Sequence, residues 1–365
     1  MAEWVGLVKT TAPKYLKGAE DETVRDRLYL AMLQKRGRIL LNQSGEQIKW
    51  QVEAVQPPVT THSDGGTIDF ARTDAYQQAS LPWRGYKAPD LMTSKEKEMN
   101  KGAEALIRRY DRIMPNLMDA IRDKIGTEMY IDGNAAGNEA RFHGTESFMG
   151  TGTNVAADLI GEPSDTYAGL KTNLGEIETT WTSALTTKPN ANVAKDWPDG
   201  EGVSGYDYWS PKLINWSSTG WTGTATFLST AERCVRAANL WATMTGGKSG
   251  KPDVCLQSGN LYRDYLNAHT GRFRVLQEAP EMLELGFNGV KSEGVEITEE
   301  FGIAANTGYG VNFDKVTLHI LGGSLFQSEG PTFSIERDSW LFLVKIFGNL
   351  CFKSPKGFYK LKDYA

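Results

Sequence analysis

The stretch 94–130, SKEKEMNKGAEALIRRYDRIMPNLMDAIRDKIGTEMY, decides the fold. It begins at Thr93-Ser94-Lys95-Glu96, a capping-box pattern with a hydroxyl at the helix start and Glu three residues later. Apolar residues then recur at steps of three and four for about nine turns. The pattern predicts one helix over 94–130, about 55 Å long at ~1.5 Å per residue and kinked at Pro115. Helices in globular proteins average about 12 residues, so this one predicts a structural spine.

The sequence before this helix predicts a long extended loop made of two strands. Residues 48–55 alternate apolar and polar side chains, as a half-exposed strand does, and Pro57-Pro58 then interrupts the pattern. A polar tip follows at 60–66, and 73–86 predicts the returning strand. A lone two-stranded hairpin is at best marginally stable. We therefore expect its apolar residues to pack on something outside the unit.

The chain's two ends are basic, although its formal net charge is -5. Residues 1–45 carry eight Lys/Arg against five acids, and the last 21 residues carry five Lys against one acid. Within 1–45 the spacing of Val24, Leu28, Ala31 and Leu33 predicts one helix before Gly37. These residues form an arm with one helix. Basic ends are typical either of solvated termini or of segments that touch neighbours or nucleic acid.

The second half of the chain mixes strands and helices. Residues 132–225 are rich in Gly, Thr and Asn, and five of the ten tryptophans lie between Trp181 and Trp221. A new α/β unit begins at Phe227. We predict its helices at 231–244 and 261–266, and strands at 252–257, 294–298, 316–321, 332–336 and 340–353.

Motifs for catalysis and metal binding are missing from the sequence. Residues 245–251 (TGGKSGK) fail the phosphate-loop pattern, because Ala242 stands where a glycine is required. No G-x-S-x-G elbow occurs, and the four histidines have no metal-ligand spacing. We expect no catalytic, cofactor or metal site, no enzyme activity and, without a long apolar run, no membrane span. The three cysteines, Cys234, Cys255 and Cys351, are expected as reduced core residues.

The order of these parts resembles the major capsid protein of tailed bacteriophages, whose fold is shared with encapsulin shells. Four stretches carry the resemblance: 143–149 (HGTESFM) after the spine, 165–170 (DTYAGL), 252–258 with 261–266 (PDVCLQS and LYRDYL), and the ending 349–357 (NLCFKSPKG). Ala168 departs from the glycine usual in the family's Thr-Tyr-Gly-Gly-Ile run. The resemblance covers the chain after about residue 20.

The resemblance implies an α+β fold in five parts. These are an N-terminal arm (1–45), the extended loop (46–91), a peripheral domain with the spine helix (92–226), an axial α/β domain (227–328), and C-terminal strands returning to the peripheral domain (329–365). It implies hexamers and pentamers that close into an icosahedral head around double-stranded DNA. The extended loop would lie over a neighbouring subunit, with Trp50, Val52, Trp83 and Tyr86 as interface candidates.

The implied partners are further copies of the chain, with scaffold, portal and decoration proteins and packaged DNA held by weak non-specific contact. The implied location is the virion, reached from the host cytoplasm. An encapsulin-type nanocompartment shell is the alternative within the same fold. A carbohydrate-binding protein is the third hypothesis, because tryptophans such as Trp209 and Trp216 can stack on sugars; packing of strands and subunits is the other explanation of that cluster.

Overall fold

The computed structural model describes residues 27–53, 76–99, 109–150, 165–172, 209–221, 226–247, 250–270 and 294–364. It also describes short pieces and isolated positions between 59 and 292. Within the described residues no helix is long and apolar enough to cross a membrane. All three cysteines are free and buried, which confirms their prediction as core residues.

An eight-stranded sheet forms the centre of the molecule. Its strand order is β10-β11-β12-β9-β13-β17-β8-β5. The strands are β5 (Ile160–Gly161), β8 (Lys212–Asn215), β9 (Val254–Gln257), β10 (Gln277–Glu278), β11 (Gly289–Ser292), β12 (Val295–Glu299), β13 (Gly308–Val311) and β17 (Tyr359–Lys362). Neighbouring residues of one strand point to opposite faces. Val254 and Leu256 accordingly join one hydrophobic core, whereas Cys255 joins another.

Two helices cover one face of this sheet. They are Phe227–Gly246 and Gly259–Thr270, and both contribute to the smaller core, which includes Trp241 and Tyr265. The first helix begins four residues before the predicted start at Ala231, and the second extends beyond the predicted 261–266 on both sides. Thr226 occupies the N-cap of the first helix and makes no side-chain cap bond.

A second sheet has five strands. Its path is β1-β14-β16-β15, and β4 pairs with the other side of β16. The strands are β1 (Ile39–Leu40), β4 (Arg84–Thr93), β14 (Val316–Ile320), β15 (Gln327–Ser334) and β16 (Ser339–Phe352). β16 has 14 residues, enough to pair with β14 near one end and with β15 near the other.

The predicted spine corresponds to two described helices, α2 (Ser94–Met99) and α3 (Arg109–Glu128), and 100–108 lies outside the described residues. The capping box is confirmed, because Glu96 N donates to Thr93 Oγ1 and Thr93 N donates to Glu96 Oε2, both at 3.2 Å. Pro115 lies inside α3. The helix ends at Glu128, two residues before the predicted end.

The arm helix is confirmed as α1 (Leu28–Lys35), which ends before Gly37. Five of its eight residues are buried in the larger core. Burying each large apolar side chain is worth about 1.5–3 kcal/mol. The end of the predicted arm is therefore an integral part of the core, and 1–26 lies outside the described residues.

The strand predicted at 73–86 is in fact two strands. β3 (Tyr76–Pro82) pairs with β2 (Gln47–Glu53) as a hairpin, and β4 leaves it after Trp83 to pair with β16. The physical reason is partner choice, since β16 offers ten consecutive ladder positions from Gly348 to Ser339. Most of the hairpin's far part, 54–75, lies outside the described residues.

The segment 329–365 is divided between the two sheets. β15 and β16 lie in the five-stranded sheet, but β17 pairs with β8 and β13 in the eight-stranded one. The division of the chain into arm, loop, peripheral and axial domains stays a prediction.

Candidate assembly surfaces

The hairpin has one apolar side, which we call the underside, and one polar side. Its register places Ile48 opposite Leu81 and Trp50 opposite Ala79. Ile48, Ala79 and Leu81 are buried, and Trp50 and Val52 are half-buried against the larger core. The opposite side carries polar residues such as Lys49, Gln51 and Gln78, all exposed. The underside is therefore the side of the hairpin that contacts the rest of its own chain.

Trp50 holds the near part of the hairpin on its own chain. Its ring centroid lies 6.5 Å from that of Tyr167 and 6.5 Å from that of Trp209. Ser80 N donates to Ala168 O at 3.0 Å and adds a backbone bond to the same place. Trp50 and Val52 thus contact their own chain, and their predicted contact with a neighbouring subunit stays a prediction.

Large apolar side chains beyond the supported part of the hairpin are exposed. Val59 is 97% exposed and Phe70 is 91% exposed. Tyr76, which pairs with Glu53 on the polar side of the hairpin, is 65% exposed. These three residues were not singled out from the sequence.

Trp83 and Tyr86 lie where the hairpin joins the second sheet. Trp83 Nε1 donates to Gly45 O at 2.8 Å. Tyr86 Oη donates to Glu128 and accepts from Phe142 N at 2.9 Å. Burial and the bond to Glu128 raise the pKa of Tyr86. Both residues contact their own chain, and their interface role stays a prediction.

Arg84, between them, donates from its side chain to three backbone carbonyl groups of the described residues. Its Nη1 lies 2.8 Å from Gly133 O, 3.2 Å from Asn138 O and 2.7 Å from Arg141 O. Burial lowers the pKa of Arg84, while nearby Tyr86, Glu139 and Asp132 act in the other direction. No sequence motif marked this residue.

One face of the β4-β16-β15 part of the second sheet packs on the spine, and no described element covers the other. Met92 and Phe342 are buried against Ile113 of α3. The residues on the opposite side, which we call the bare face, are Pro89, Leu91, Leu341 and Leu343, aligned in the ladder. They line a cavity of about 580 Å³ with Thr332, Glu329 and Arg337 at its margin. Contiguous exposed apolar patches on soluble proteins mark interaction sites.

A buried ion pair joins the loop after the spine to the eight-stranded sheet. Tyr309 and Lys360 are cross-strand partners, and both bind the Glu146 carboxylate, Tyr309 Oη at 2.7 Å. Burial lowers the pKa of Lys360, and Glu146 opposes that effect. Burial also raises the pKa of the neighbouring Asp165 to about 6. The arrangement fixes two parts of the chain to each other.

The described tryptophans of the 181–221 cluster pack inside the protein. Trp209 is fully buried and Trp216 nearly so, with its ring 5.6 Å from that of Phe227. Trp221 lies 6.3 Å from Trp241. Trp181 and Trp197 lie outside the described residues. Buried ring faces cannot stack on a sugar, so the packing explanation holds for Trp209 and Trp216, whereas Trp221 is half-buried against the smaller core.

Among the described residues no cluster of three or more His, Cys, Asp or Glu side chains is arranged to hold a metal ion.

No known family and no curated protein matches the chain by sequence. Solved structures do match it. The cyanophage A-1(L) capsid subunit aligns with a TM-score of 0.61 at 16% identity, covering 96% of each chain. The capsid of the native GTA particle gives 0.55 at 10% identity and 95% of each chain. Mycobacterium phage Bobi gives 0.51 at 11% identity, covering 100% of this chain and 98% of that one. The chain therefore has the capsid fold, and the predicted α+β phage capsid architecture is confirmed at the level of the fold.

Proposed function

We propose that this chain is the structural subunit of a phage head. It assembles as hexamers and pentamers into an icosahedral shell that encloses double-stranded DNA. The capsid fold supports this function, and one observation carries it: Val59 and Phe70, which lie in the chain between β2 and β3, are almost wholly exposed large apolar side chains.

The exposed residues favour a neighbour energetically. Covering a Val or Phe side chain is worth about 1.5–3 kcal/mol. Each subunit of a closed shell gives one hairpin and receives one, so this gain recurs at every contact. A few kcal/mol per contact, repeated over many subunits, is enough to favour a closed assembly over free chains.

The bare face is the surface on which such a contact forms. Its two outer strands are poorly suited to edge pairing, because β4 carries Pro89 and β15 carries Pro331 with a register shift between Glu329 and Thr332. Proline and bulges on edge strands prevent the addition of another strand. Association therefore uses the apolar face between the edges.

The remaining parts of the proposal follow the implied domain plan. The peripheral domain (92–226) with its spine forms the shell wall, and the axial domain (227–328) points to the capsomer centre. The basic ends make weak contact with packaged DNA, and scaffold, portal and decoration proteins are further partners. The subunit passes from the host cytoplasm to the virion and performs no catalysis.

An encapsulin-type shell is the second candidate, because it shares the fold. The two differ in content: a phage head holds DNA, and an encapsulin holds a cargo enzyme. Nuclease treatment and mass spectrometry of purified particles separate them. The carbohydrate-binding alternative is not favoured, since Trp209 and Trp216 are buried.

The test is assembly of the expressed chain, followed by size-exclusion chromatography and negative-stain imaging. The wild-type chain, with scaffold where needed, gives closed shells. The double variant Val59→Ser/Phe70→Ser gives free subunits or capsomers at the same concentration. The matched control Gln51→Ser/Gln78→Ser alters the polar side of the same hairpin and assembles normally. A wild-type chain that stays monomeric under all salt and scaffold conditions would overturn the proposal, as would normal shells from the apolar variant.

A further inference from the structure

The root of the hairpin, which we define as Pro82 to Tyr86, is the place where the chain passes from the hairpin to the second sheet. Three alternate residues of the root bond to other parts of the chain. Pro82 O accepts from Asn349 Nδ2 at 2.9 Å, Arg84 binds the loop carbonyls, and Tyr86 binds Glu128 and Phe142. The root is thus tied on several sides.

The segment that receives Arg84 is the exit segment of the spine, residues 133–141, which follows α3. One guanidinium nitrogen, Nη1, faces three carbonyl oxygens there, although it carries only two hydrogens, so the bonds are shared. Among the described residues no carboxylate pairs directly with Arg84. Carbonyl oxygens converge on one nitrogen only in a particular loop conformation, so the contact depends on shape as well as on charge.

The exit segment is built to admit the side chain. A Cβ atom at Gly133 would lie 2.9 Å from Arg84 Nη1 and 2.9 Å from His143 Cα. Only glycine leaves room for the guanidinium at that point. Asn349 gives a second link, because its Oδ1 accepts from His143 N at 2.9 Å while its Nδ2 holds Pro82 O. The hairpin root and the spine exit are therefore joined twice.

We propose that Arg84 is a positioning residue that sets the direction of the hairpin relative to the spine helix. Its hydrogen bonds to the exit segment hold the hairpin root and the end of α3 in a fixed relative orientation. The inference deepens the proposed function, because the hairpin's direction decides which neighbour it reaches. The contacts of Arg84 all lie within one chain, so they can be tested without assembly.

The hairpin does not need Arg84 in order to fold. Ile48, Ala79 and Leu81 bury its underside independently of the root. Removing the guanidinium leaves this packing and the bond from Tyr86 to Glu128 in place, and it loosens the angle between hairpin and spine by removing the tie to the exit segment. A residue that only stabilised the fold would lower stability without changing that angle.

The test is a distance distribution by double electron–electron resonance in the full chain. Spin labels are attached at Lys49→Cys on the hairpin and Arg122→Cys on α3, both exposed sites. The native cysteines are buried and do not compete for the label. Labelled chains are diluted in unlabelled ones, so that only distances within one chain contribute.

The parent chain and the control Arg263→Met, an exposed arginine paired with Asp264, give one narrow distribution. Arg84→Met gives a distribution at least twice as wide or shifted by several Å, and Arg84→Lys lies between. A folded Arg84→Met with the parent's distribution overturns the inference. If Arg84→Met does not fold, Arg84→Lys decides: a parent-like width overturns the inference and a broadened one supports it. Failure of the chain to form shells would contradict the proposed function and leave these distances unchanged.

Discussion

The two sheets of the molecule differ in how they are covered. In the eight-stranded sheet every residue of β8, β9 and β13 is buried, because the larger core lies on one face and two helices lie on the other. In the five-stranded sheet six of the eight residues of β15 are exposed, and none of the described helices lies over the bare face. The central strands of the first sheet are covered on both faces within one chain, and we expect a neighbouring copy to cover the bare face of the second.

The largest expected difference between the sheets is in the unfolding free energy lost when an ion pair is removed from each. Lys360→Ala in the covered sheet leaves Glu146 without its buried cation and costs about 3–5 kcal/mol of unfolding free energy. The matched change Lys345→Ala removes the more exposed pair with Glu329 and costs less than about 1 kcal/mol. Urea unfolding of the unassembled subunit measures both. Equal losses would remove the distinction between the two sheets.

Substitutions at two residues of β16 allow the two faces of the second sheet to be compared for their effects on stability and assembly. Ile346 points to the larger core and is fully buried, so Ile346→Ala costs about 2–5 kcal/mol. Leu343 points to the bare face, so Leu343→Ala changes subunit stability by less than about 1 kcal/mol and raises the concentration needed for assembly. Unfolding and light-scattering assembly curves separate these effects. A large unfolding loss with unchanged assembly for Leu343→Ala would contradict the role of the bare face.

The junction between the sheets is expected to be sensitive to acid through His143. Its Nδ1 accepts from Asn349 Nδ2 at 2.9 Å, and burial lowers its pKa to about 4. Because the folded chain favours neutral His143, this stabilisation is complete above pH 6.5 and is lost as the pH falls towards 4. At ~1.4 kcal/mol per pKa unit, it amounts to at most about 3.5 kcal/mol.

Chemical unfolding from pH 4 to 7 checks this, with His143→Gln as the comparison. The stability of the parent should fall relative to the variant below pH 6.5. Asp165 and Glu300, whose pKa values are raised by burial to about 6 and about 7, act with the opposite sign in both proteins and cancel in the difference. Parallel pH profiles for the two proteins would exclude His143 as the acid-sensitive group.

The smallest effect concerns the hairpin root. Trp83→Phe removes the bond from Nε1 to Gly45 O and keeps most of the ring's packing. The expected cost is about 0.5–1.5 kcal/mol, measured by urea unfolding. Trp4→Phe, outside the described residues, serves as the control for replacing one indole. A loss above about 3 kcal/mol would show that Trp83 belongs to the core.

Local signals predicted local structure well. The capping box at Thr93 and Glu96 and the helix before Gly37 depend on residues within one or two turns, and both were predicted from spacing alone. The break at Trp83 was not predicted, because it depends on pairing between β4 and β16, which lie far apart in sequence. A pattern of alternating side chains does not show where a strand changes partner.

The surfaces were predictable only in part. The sequence suggested Trp50 as an interface residue; its ring packs near Tyr167 and Trp209 of its own chain, and its contact with a neighbour stays a prediction. The exposed Val59 and Phe70 were not singled out from the sequence. The sequence around an aromatic residue on a strand does not show whether its ring packs on its own chain or on a neighbouring one. Arg84 was missed because its acceptors are backbone carbonyls, and these have no sequence signature.

The central claim is that a neighbouring copy covers what one chain leaves exposed, and a cryo-electron microscopy map of the assembled particle tests it most directly. The account predicts a closed shell in which the side chains of Val59 and Phe70 are buried against another subunit and the bare face of every subunit is covered. A particle with these hairpin residues in solvent and the bare face open would contradict it.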